Sequence, residues 1–201
     1  MQVSEKLPKQ RTEVRRASLV EAAIKLAAQR SPADITTGDL AQAVGITQGA
    51  VFRHFASKEM IWLAVLDWVT LTLMGRLQSA AENKPAMAAL QAVFLTHVDF
   101  VAEHPGVPRV IFQELQSPGD TTLKAKVRGL LQQYRHLLTR LLTQARLEKT
   151  IASNADLQGA AVLFIGSVQG LVMQSMVSGH VADMVRQAPG VFAIFQRGLQ
   201  V

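Results

Sequence analysis

One stretch of the chain, residues 35–58, constrains the fold more than any other. It reads ITTGDLAQAVGITQGAVFRHFASK and contains two short amphipathic segments on either side of Gly45. Thr36 and Asp39 stand three residues apart, a spacing at which a hydroxyl and a carboxylate cap the start of a helix. Glycine permits the sharp turn that brings a second short helix against the first. Thr47 can cap this second helix, and Ser57 can cap the helix that follows it. Residues 36–55 therefore predict a helix-turn-helix.

The composition favours an all-α fold. Hydrophobic residues make up 49% of the chain but aromatic residues only 5%, and the alternating β-branched pattern of strands is largely missing. The length of 201 residues allows one large domain or two small ones.

A formal net charge of +6 and a pI of about 10.1 suit a polyanionic partner such as DNA. The chain has no cysteine, which excludes disulfides and thiolate chemistry.

Apolar periodicity and helix-breaking residues predict about nine helices. The first covers residues 13–29, the two helices of the helix-turn-helix follow, and a long fourth helix starts after Ser57. Five more helices, the last at 191–199, are separated by four predicted breaks: 103–106, 117–119, 153–154 and 188–190. A basic arm, residues 1–12, is expected to precede the first helix.

One segment, residues 157–182, contains no Asp, Glu, Lys or Arg, and it includes a glycine pair with the spacing found in membrane helices. Glutamines and serines interrupt it, and these side chains are costly against lipid. We therefore expect no membrane contact but a helix buried on two sides, one against the protein's own core and one against a second subunit. The predicted dimer interface consists of small and apolar residues: Leu163, Gly166, Gly170, Met173 and Val177.

The chain resembles the TetR family of bacterial transcriptional regulators over about residues 13–68. The resemblance is carried by three motifs: Thr36 to Gly49 (TTGDLAQAVGITQG), Phe52-Arg53-His54-Phe55 and Ser57-Lys58-Glu59. It implies an all-helical homodimer whose N-terminal domains, here residues 13–58, bind a palindromic site on double-stranded DNA. The C-terminal domains, here residues 59–201, would provide dimerisation and often bind a small hydrophobic or amphipathic effector.

The resemblance also implies a set of DNA contacts: Thr37, Thr47, Gln48, Gly49, Ala50, Phe52, Arg53, His54 and Lys58. Thr37, Thr47 and Lys58 stand where the family contacts phosphates, which suits hydroxyls and helix N-termini. His54 has two readings, a phosphate contact or a packing and helix-ending role.

Direct base contacts are expected from the second helix. Gln48 is suited to adenine, Ala50 to a thymine methyl group, and Arg53 to guanine or a phosphate. Two positions depart from the family pattern. Phe52 replaces a tyrosine, so no phenol is available for a phosphate, and Gly38 provides no side chain that could reach a base.

Aromatic and polar residues in the helices after the fourth are candidates for an effector pocket: Phe94, His97, Phe100, Phe112, Gln113, Tyr134 and His136. Ordinary core packing is the alternative for each. The histidines show no metal-ligand spacing, and no nucleophile elbow, phosphate-binding loop or dinucleotide-binding loop is found. We therefore expect no metal, no cofactor and no enzymatic activity.

The sequence predicts a cytoplasmic, nucleoid-associated regulator that binds a pseudo-palindromic operator as a homodimer. The first residues, MQVSEKLPKQR, lack the apolar core of a signal peptide. The favoured function is a repressor released by a small-molecule effector. The alternative keeps the DNA-binding domain but makes the C-terminal domain a docking surface for another protein.

Overall fold

The computed structural model describes residues 6–200, with side chains from residue 12 onward. This part of the chain forms nine α-helices and one 3-10 turn, and it contains no strand, as the composition predicted. The helices are α1 (Lys6–Ala27), α2 (Thr37–Ala43), α3 (Gln48–Val51), α4 (Lys58–Ala81), α5 (Ala86–Glu103), α6 (Gly106–Gln116), α7 (Thr122–Leu147), α8 (Leu157–Ser178) and α9 (Val181–Leu199), with the 3-10 turn at Pro32–Asp34.

The first helix starts earlier than the sequence predicted. It begins at Lys6 rather than at residue 13, and it contains Pro8 in its first turn. A proline is tolerated there because the amides of the first turn need no partner within the helix. The predicted basic arm is therefore helical from residue 6 onward, and its residues 1–5 lie outside the described part of the chain.

The last helix corrects a second prediction. α9 continues through Pro189, where a break was predicted. The proline removes one backbone donor, but an apolar stripe on both sides of it remains in the core and holds the helix together. The buried stripe consists of Met184, Ala188, Phe192 and Phe195.

The helices form two compact units. The first contains residues 6–69 and 104–127, and the second contains residues 70–103 and 128–200. α6 thus packs with the first helices, although it follows α4 and α5 in the sequence. The functional boundary near residue 58 is not defined by this packing and stays a prediction.

In the first unit, α1 and α6 approach each other at backbone distance. A Cβ atom on Gly106 would lie 2.0 Å from the carbonyl oxygen of Ile24 and 2.8 Å from the amide nitrogen of Ala28. Only glycine fits such an approach. Further along α6, Oε1 of Gln113 accepts a hydrogen bond from the amide of Ala33 at 3.0 Å. α6 is thereby fixed to the end of α1 and to the 3-10 turn.

A cluster of phenylalanines forms the core of the second unit. The rings of Phe94 and Phe164 lie edge to face with centroids 5.2 Å apart, and those of Phe164 and Phe195 lie 5.3 Å apart. Phe192 is 5.6 Å from Phe94, and all of these side chains are buried. Each such pair adds about 0.5–1.5 kcal/mol beyond area burial. The cluster therefore joins α5, α8 and α9.

Three helices, α4, α5 and α8, are long and apolar enough to cross a membrane by length and composition. Part of this apolar surface is used in the protein core. In α8, for example, Phe164, Ile165 and Val168 are buried. This placement agrees with the interpretation of α8 as a helix that packs on protein rather than on lipid.

Replacement of Gly106 by alanine is expected to destabilise the protein by about 1–3 kcal/mol, because the new Cβ meets backbone atoms that cannot swing aside. Gly75 provides the matched control. It is exposed within α4, and a Cβ there meets nothing within 4 Å, so Gly75→Ala should stabilise the protein by about 0.5–1 kcal/mol. Urea unfolding followed by circular dichroism measures both. Equal stability of the two variants would contradict the close approach of α1 and α6.

Candidate nucleic-acid interface

A complete capping box starts α2. The amide and hydroxyl of Thr36 each donate to Oδ2 of Asp39 at 2.7 Å, and the Asp39 amide donates back to the Thr36 hydroxyl at 3.1 Å. Arg30 forms an ion pair with the same carboxylate at 2.9 Å. The hydrogen bonds from Thr36, with a smaller effect of Arg30, lower the pKa of Asp39 to about 2. The capping role predicted for Thr36 is confirmed, and its hydroxyl is used inside the protein.

The turn between α2 and α3 depends on Gly45, whose φ is +68°. Residues with a Cβ rarely adopt this conformation. The amide of Ile46 donates to the carbonyl of Ala41 at 3.0 Å and closes the turn. Five apolar side chains form the inner packing of the motif. Leu40, Val51 and Phe55 are buried, and Val44 and Ile46 are half-buried.

The second helix of the motif is shorter than predicted. α3 ends at Val51 rather than near Phe55. After it the chain continues in tight turns, in which the amides of Arg53 and His54 donate to carbonyls three residues earlier, at 3.2 and 2.9 Å. These turns still bring Phe55 into the core, so the inward packing does not require a longer helix.

The outer surface of α3 is accessible. The hydroxyl of Thr47 accepts a hydrogen bond from the Ala50 amide at 3.3 Å, which confirms it as the N-cap of α3. A capping hydroxyl keeps its own hydrogen, which it can donate to a phosphate. Ala50 is half-buried, and the other predicted contacts of this segment are exposed: Gln48, Gly49, Phe52 and Arg53.

A hydrogen bond joins the beginnings of α2 and α3 on this surface. Nε2 of Gln48 donates to the hydroxyl oxygen of Thr37 at 2.8 Å. Thr37 is the first residue of α2, and Gln48 is the first residue of α3. The sequence named both residues but not their contact, because residues eleven positions apart meet only through the tertiary fold. The bond connects a predicted phosphate contact with a predicted base contact.

Lys58, another predicted phosphate contact, is the first residue of α4. Its Nζ donates to the carbonyl oxygen of Ala33 at 2.7 Å. An ammonium group has three donors, so this bond leaves two for a phosphate. The preceding Ser57 accepts a hydrogen bond from the amide of Met60 at 3.3 Å, which confirms the predicted cap of α4.

The structure favours the packing role of His54. The residue is half-buried, and its Nδ1 atom is buried without a hydrogen-bond partner in the described part of the chain. A buried nitrogen cannot reach a phosphate, so only the other edge of the ring is open to a ligand.

Two arginines of α1 contribute to the helix-turn-helix in a way that sequence reasoning missed. Nη1 of Arg15 donates to the carbonyl of Val44 at 3.4 Å, at the end of α2. The guanidinium carbon of Arg16 lies 4.7 Å from the centre of the Phe55 ring, a cation–π contact. Spacing along the chain does not reveal these partners, because the residues meet only in the tertiary fold.

Comparison with known proteins decides the family. Residues 19–65, which include the whole helix-turn-helix, match the family model described as bacterial regulatory proteins of the tetR family. This helix-turn-helix segment is of the TetR type. The chain is therefore a DNA-binding regulator, and the cytoplasmic location expected from the sequence agrees with that family.

Two relatives are similar over most of their length. The chain is 28% identical to the nucleoid occlusion factor SlmA of Glaesserella parasuis over 164 residues, which cover 79% of this chain and 81% of the relative. It is 29% identical to SlmA of Actinobacillus pleuropneumoniae over 170 residues, which cover 82% and 83%.

Solved structures confirm the TetR fold. FadR from Bacillus subtilis, determined in complex with stearoyl-CoA, superposes with a TM-score of 0.80 at 19% identity and covers 92% of this chain and 99% of that protein. A TetR transcription regulator from Haloarcula marismortui also has a TM-score of 0.80, at 14% identity, with 93% and 98% covered. At these identities the likeness concerns the fold alone.

The residues predicted for a TetR-type effector pocket are divided between the two units. Phe112 and Gln113 belong to α6 in the first unit, and His136 is exposed on α7. In the second unit, Phe100 is buried beside Arg76, whose guanidinium carbon lies 5.5 Å from the ring centre. Of the remaining predicted residues, Phe94 and Tyr134 contact the ring of Phe164, and His97 contacts Tyr134.

His97 and Tyr134 form a polar pair at the edge of the phenylalanine cluster. Nδ1 of His97 lies 3.1 Å from the Tyr134 hydroxyl, and the rings lie edge to face at 5.2 Å. Burial lowers the pKa of His97 to about 4 and raises the pKa of Tyr134. Both side chains are therefore neutral at physiological pH. No group of three or more metal-ligating side chains occurs among residues 12–200.

The residues predicted for the dimer interface lie on one exposed face of α8. Leu163 is 55% exposed, Met173 49% and Val177 86%. Gly166 and Gly170 lie between them, and a Cβ at either glycine would meet nothing within 4 Å. The opposite side of α8 carries the residues expected to face the core, and four of them are buried: Ala161, Ile165, Val168 and Val172.

The low pKa of Asp39 predicts a pH window for stability. The folded-state pKa is about 2 and the ordinary value is 3.8, so the charged carboxylate stabilises the fold above pH 3.8, and this contribution is lost as the pH falls from 3.8 towards 2. Asp39→Asn should therefore lower the melting temperature near neutral pH, with the difference from wild type closing near pH 2. Thermal unfolding across this range measures it, with the exposed Asp34→Asn as control. A difference that persists unchanged at pH 2 would contradict the role of the charge.

Proposed function

We propose that the chain is a homodimeric repressor that binds a pseudo-palindromic operator and is released by a small-molecule effector. The observation that carries the proposal is the exposed surface of α3 and of the turn after it, where Thr47, Gln48 and Arg53 present hydrogen-bonding groups above a buried apolar core. In a dimer, two such helices enter successive major grooves about 34–36 Å apart. The two-fold symmetry of the protein then matches a palindromic site.

The polar groups of this surface suit two kinds of DNA contact. Thr37, Thr47 and Lys58 each keep a hydrogen to donate despite their internal bonds, so they bind phosphates and position the protein. Gln48 and Arg53 are exposed and reach base edges in the major groove.

Dimerisation is supported by the apolar faces of the last two helices. Besides the α8 residues already described, Val162 is 61% exposed on α8 and Ile194 is 64% exposed on α9. A row of exposed aliphatic side chains on adjacent helices marks a protein interface. A second copy of the chain covers it, and the glycines of α8 let the two backbones approach closely.

We place the effector beside the His97–Tyr134 pair. The pair combines a neutral imidazole and a hydroxyl with the apolar surface of the phenylalanine cluster. Such a site suits an amphipathic molecule with a hydrogen-bonding group rather than a charged one. Release from DNA requires that the effector bind one arrangement of the dimer better than the other.

The names of the relatives favour a second candidate, a DNA-bound adapter whose C-terminal domain docks another protein. Both relatives described above are nucleoid occlusion factors.

Genome-wide mapping of chromatin binding distinguishes the repressor from the adapter. A repressor should occupy one or a few promoters, and a thermal-shift panel including stearoyl-CoA should contain a ligand that raises its melting temperature. Many sites dispersed over the chromosome, without changes in nearby transcription, would instead support the adapter.

Gel-shift titration tests the DNA-binding surface, with a duplex enriched from a random pool and random-sequence duplexes. Gln48→Ala should reduce the preference for the selected duplex about tenfold, since one bidentate base contact is lost. Lys58→Ala should weaken binding to both duplexes alike and lower the slope of log affinity against log salt by about one.

Lys84→Ala, which removes an exposed cation between α4 and α5, is the control and should change neither quantity. Equal affinity of the wild type for both duplexes at physiological salt would rule out sequence-specific regulation.

A further inference from the structure

We propose that Thr37 is a positioning residue for base recognition, which orients the amide of Gln48 while its own hydroxyl binds the adjacent phosphate. The basis is the 2.8 Å hydrogen bond from Nε2 of Gln48 to Oγ1 of Thr37. The inference rests on the proposed function, because it requires the start of α3 to lie in the major groove. It adds a specificity role to a residue that otherwise counts only as a phosphate contact.

The hydrogen-bond inventory permits both roles at once. A threonine hydroxyl that accepts a bond still has one hydrogen, which it can donate to a phosphate oxygen. A glutamine amide that gives one N–H to Thr37 keeps its second N–H and Oε1, the pair of groups that matches N7 and N6 of adenine. The donors then run in one direction, from Gln48 to Thr37 to the phosphate, and each bond polarises the next.

The bond is not a by-product of helix capping. Thr36 and Asp39 cap α2 through their reciprocal hydrogen bonds, so the hydroxyl of Thr37 is not needed for the start of the helix. The next residue, Gly38, has no side chain that could reach DNA. The beginning of α2 therefore influences base recognition through Gln48.

The hydrogen bond to Thr37 affects specificity because it fixes the side-chain amide of Gln48. Gln48 is exposed, and a free glutamine samples many rotamers that must be lost when it pairs with a base. The bond to Thr37 fixes the position of Nε2 before DNA arrives, so less entropy is lost on pairing with the correct base. It also limits the freedom with which the amide could adapt to a different base.

Two substitutions separate positioning from phosphate binding. Thr37→Val removes the hydroxyl at nearly constant volume, whereas Thr37→Ser retains it. Affinity is measured for four duplexes that differ at a single base pair, the one at which Gln48→Ala abolishes the preference. Thr37→Val should weaken binding to all four duplexes and also reduce the preference among them by between about two- and tenfold, whereas Thr37→Ser should retain the preference. In a Gln48→Ala background, Thr37→Val should weaken binding without any effect on preference.

Uniform weakening by Thr37→Val, with the preference among the four duplexes unchanged, would overturn the inference and leave Thr37 as a phosphate contact only. A wild-type protein without any sequence preference would overturn the proposed function and this inference with it. The two failures are therefore distinguishable.

Nuclear magnetic resonance of the free wild-type protein tests the contact without any change at Thr37. The side-chain amide signals of Gln48 are assigned by their loss in Gln48→Ala. Their ¹⁵N relaxation should show slower motion than the side-chain amides of the exposed Gln29 and Gln133 in the same spectrum. Motion of Gln48 as fast as that of these two residues would overturn the inference.

Discussion

The shortness of the recognition helix is the constraint on which the DNA-binding surface depends. α3 has four residues and α2 has seven, and helices of this length have no stability of their own in water. Their positions are set by what they bury and by how their ends are capped. Val51 and Phe55 anchor α3 in the core, and the Thr47 hydroxyl accepts a hydrogen bond from the Ala50 amide. The outward residues are therefore positioned by buried side chains and by a helix cap.

The position of the helix-turn-helix also depends on α6, which lies outside the motif. α6 touches α1 at Gly106, and Gln113 holds the 3-10 turn through Ala33. Lys58 bonds to the same Ala33 residue through its carbonyl. One short turn thus links α6 with the first residue of α4, which is a predicted phosphate contact. A displacement of α6 would therefore reach Lys58 through the hydrogen bonds that both Gln113 and Lys58 make with the backbone of Ala33.

Local chemistry explains what the sequence could predict. The capping box of Thr36 and Asp39, the turn at Gly45 and the cap at Thr47 all depend on residues within a few positions of one another, and each is found as predicted. The two faces of α8 could likewise be distinguished in the sequence, because the residues of each face recur every three or four positions along the helix.

Contacts between distant segments account for what the sequence could not predict. Arg16 with Phe55, Gln48 with Thr37 and Gly106 with Ile24 are created by the tertiary fold, and no spacing rule encodes them. The continuation of α9 through Pro189 has the same origin, since burial on both sides of the proline outweighs a local breaking signal. The division of the predicted pocket residues between two units was likewise not evident from the sequence, because α6 packs with helices that are distant from it along the chain.

The two departures from the family pattern, Phe52 and Gly38, leave fewer polar side chains for DNA recognition and make Gln48 more important for it. Phe52 is 49% exposed and offers an apolar ring, and Gly38 offers no side chain. Gln48 and Arg53 remain as polar groups suited to base edges, but only one of the two side chains is held in place. Gln48 is held by Thr37, whereas Arg53 is exposed on the turn after α3. Discrimination between bases favours the group that is ordered in advance, because a mobile side chain adapts to several partners at similar cost. We therefore expect Gln48 to be the principal base-reading residue of this surface, with Arg53 contributing chiefly to affinity.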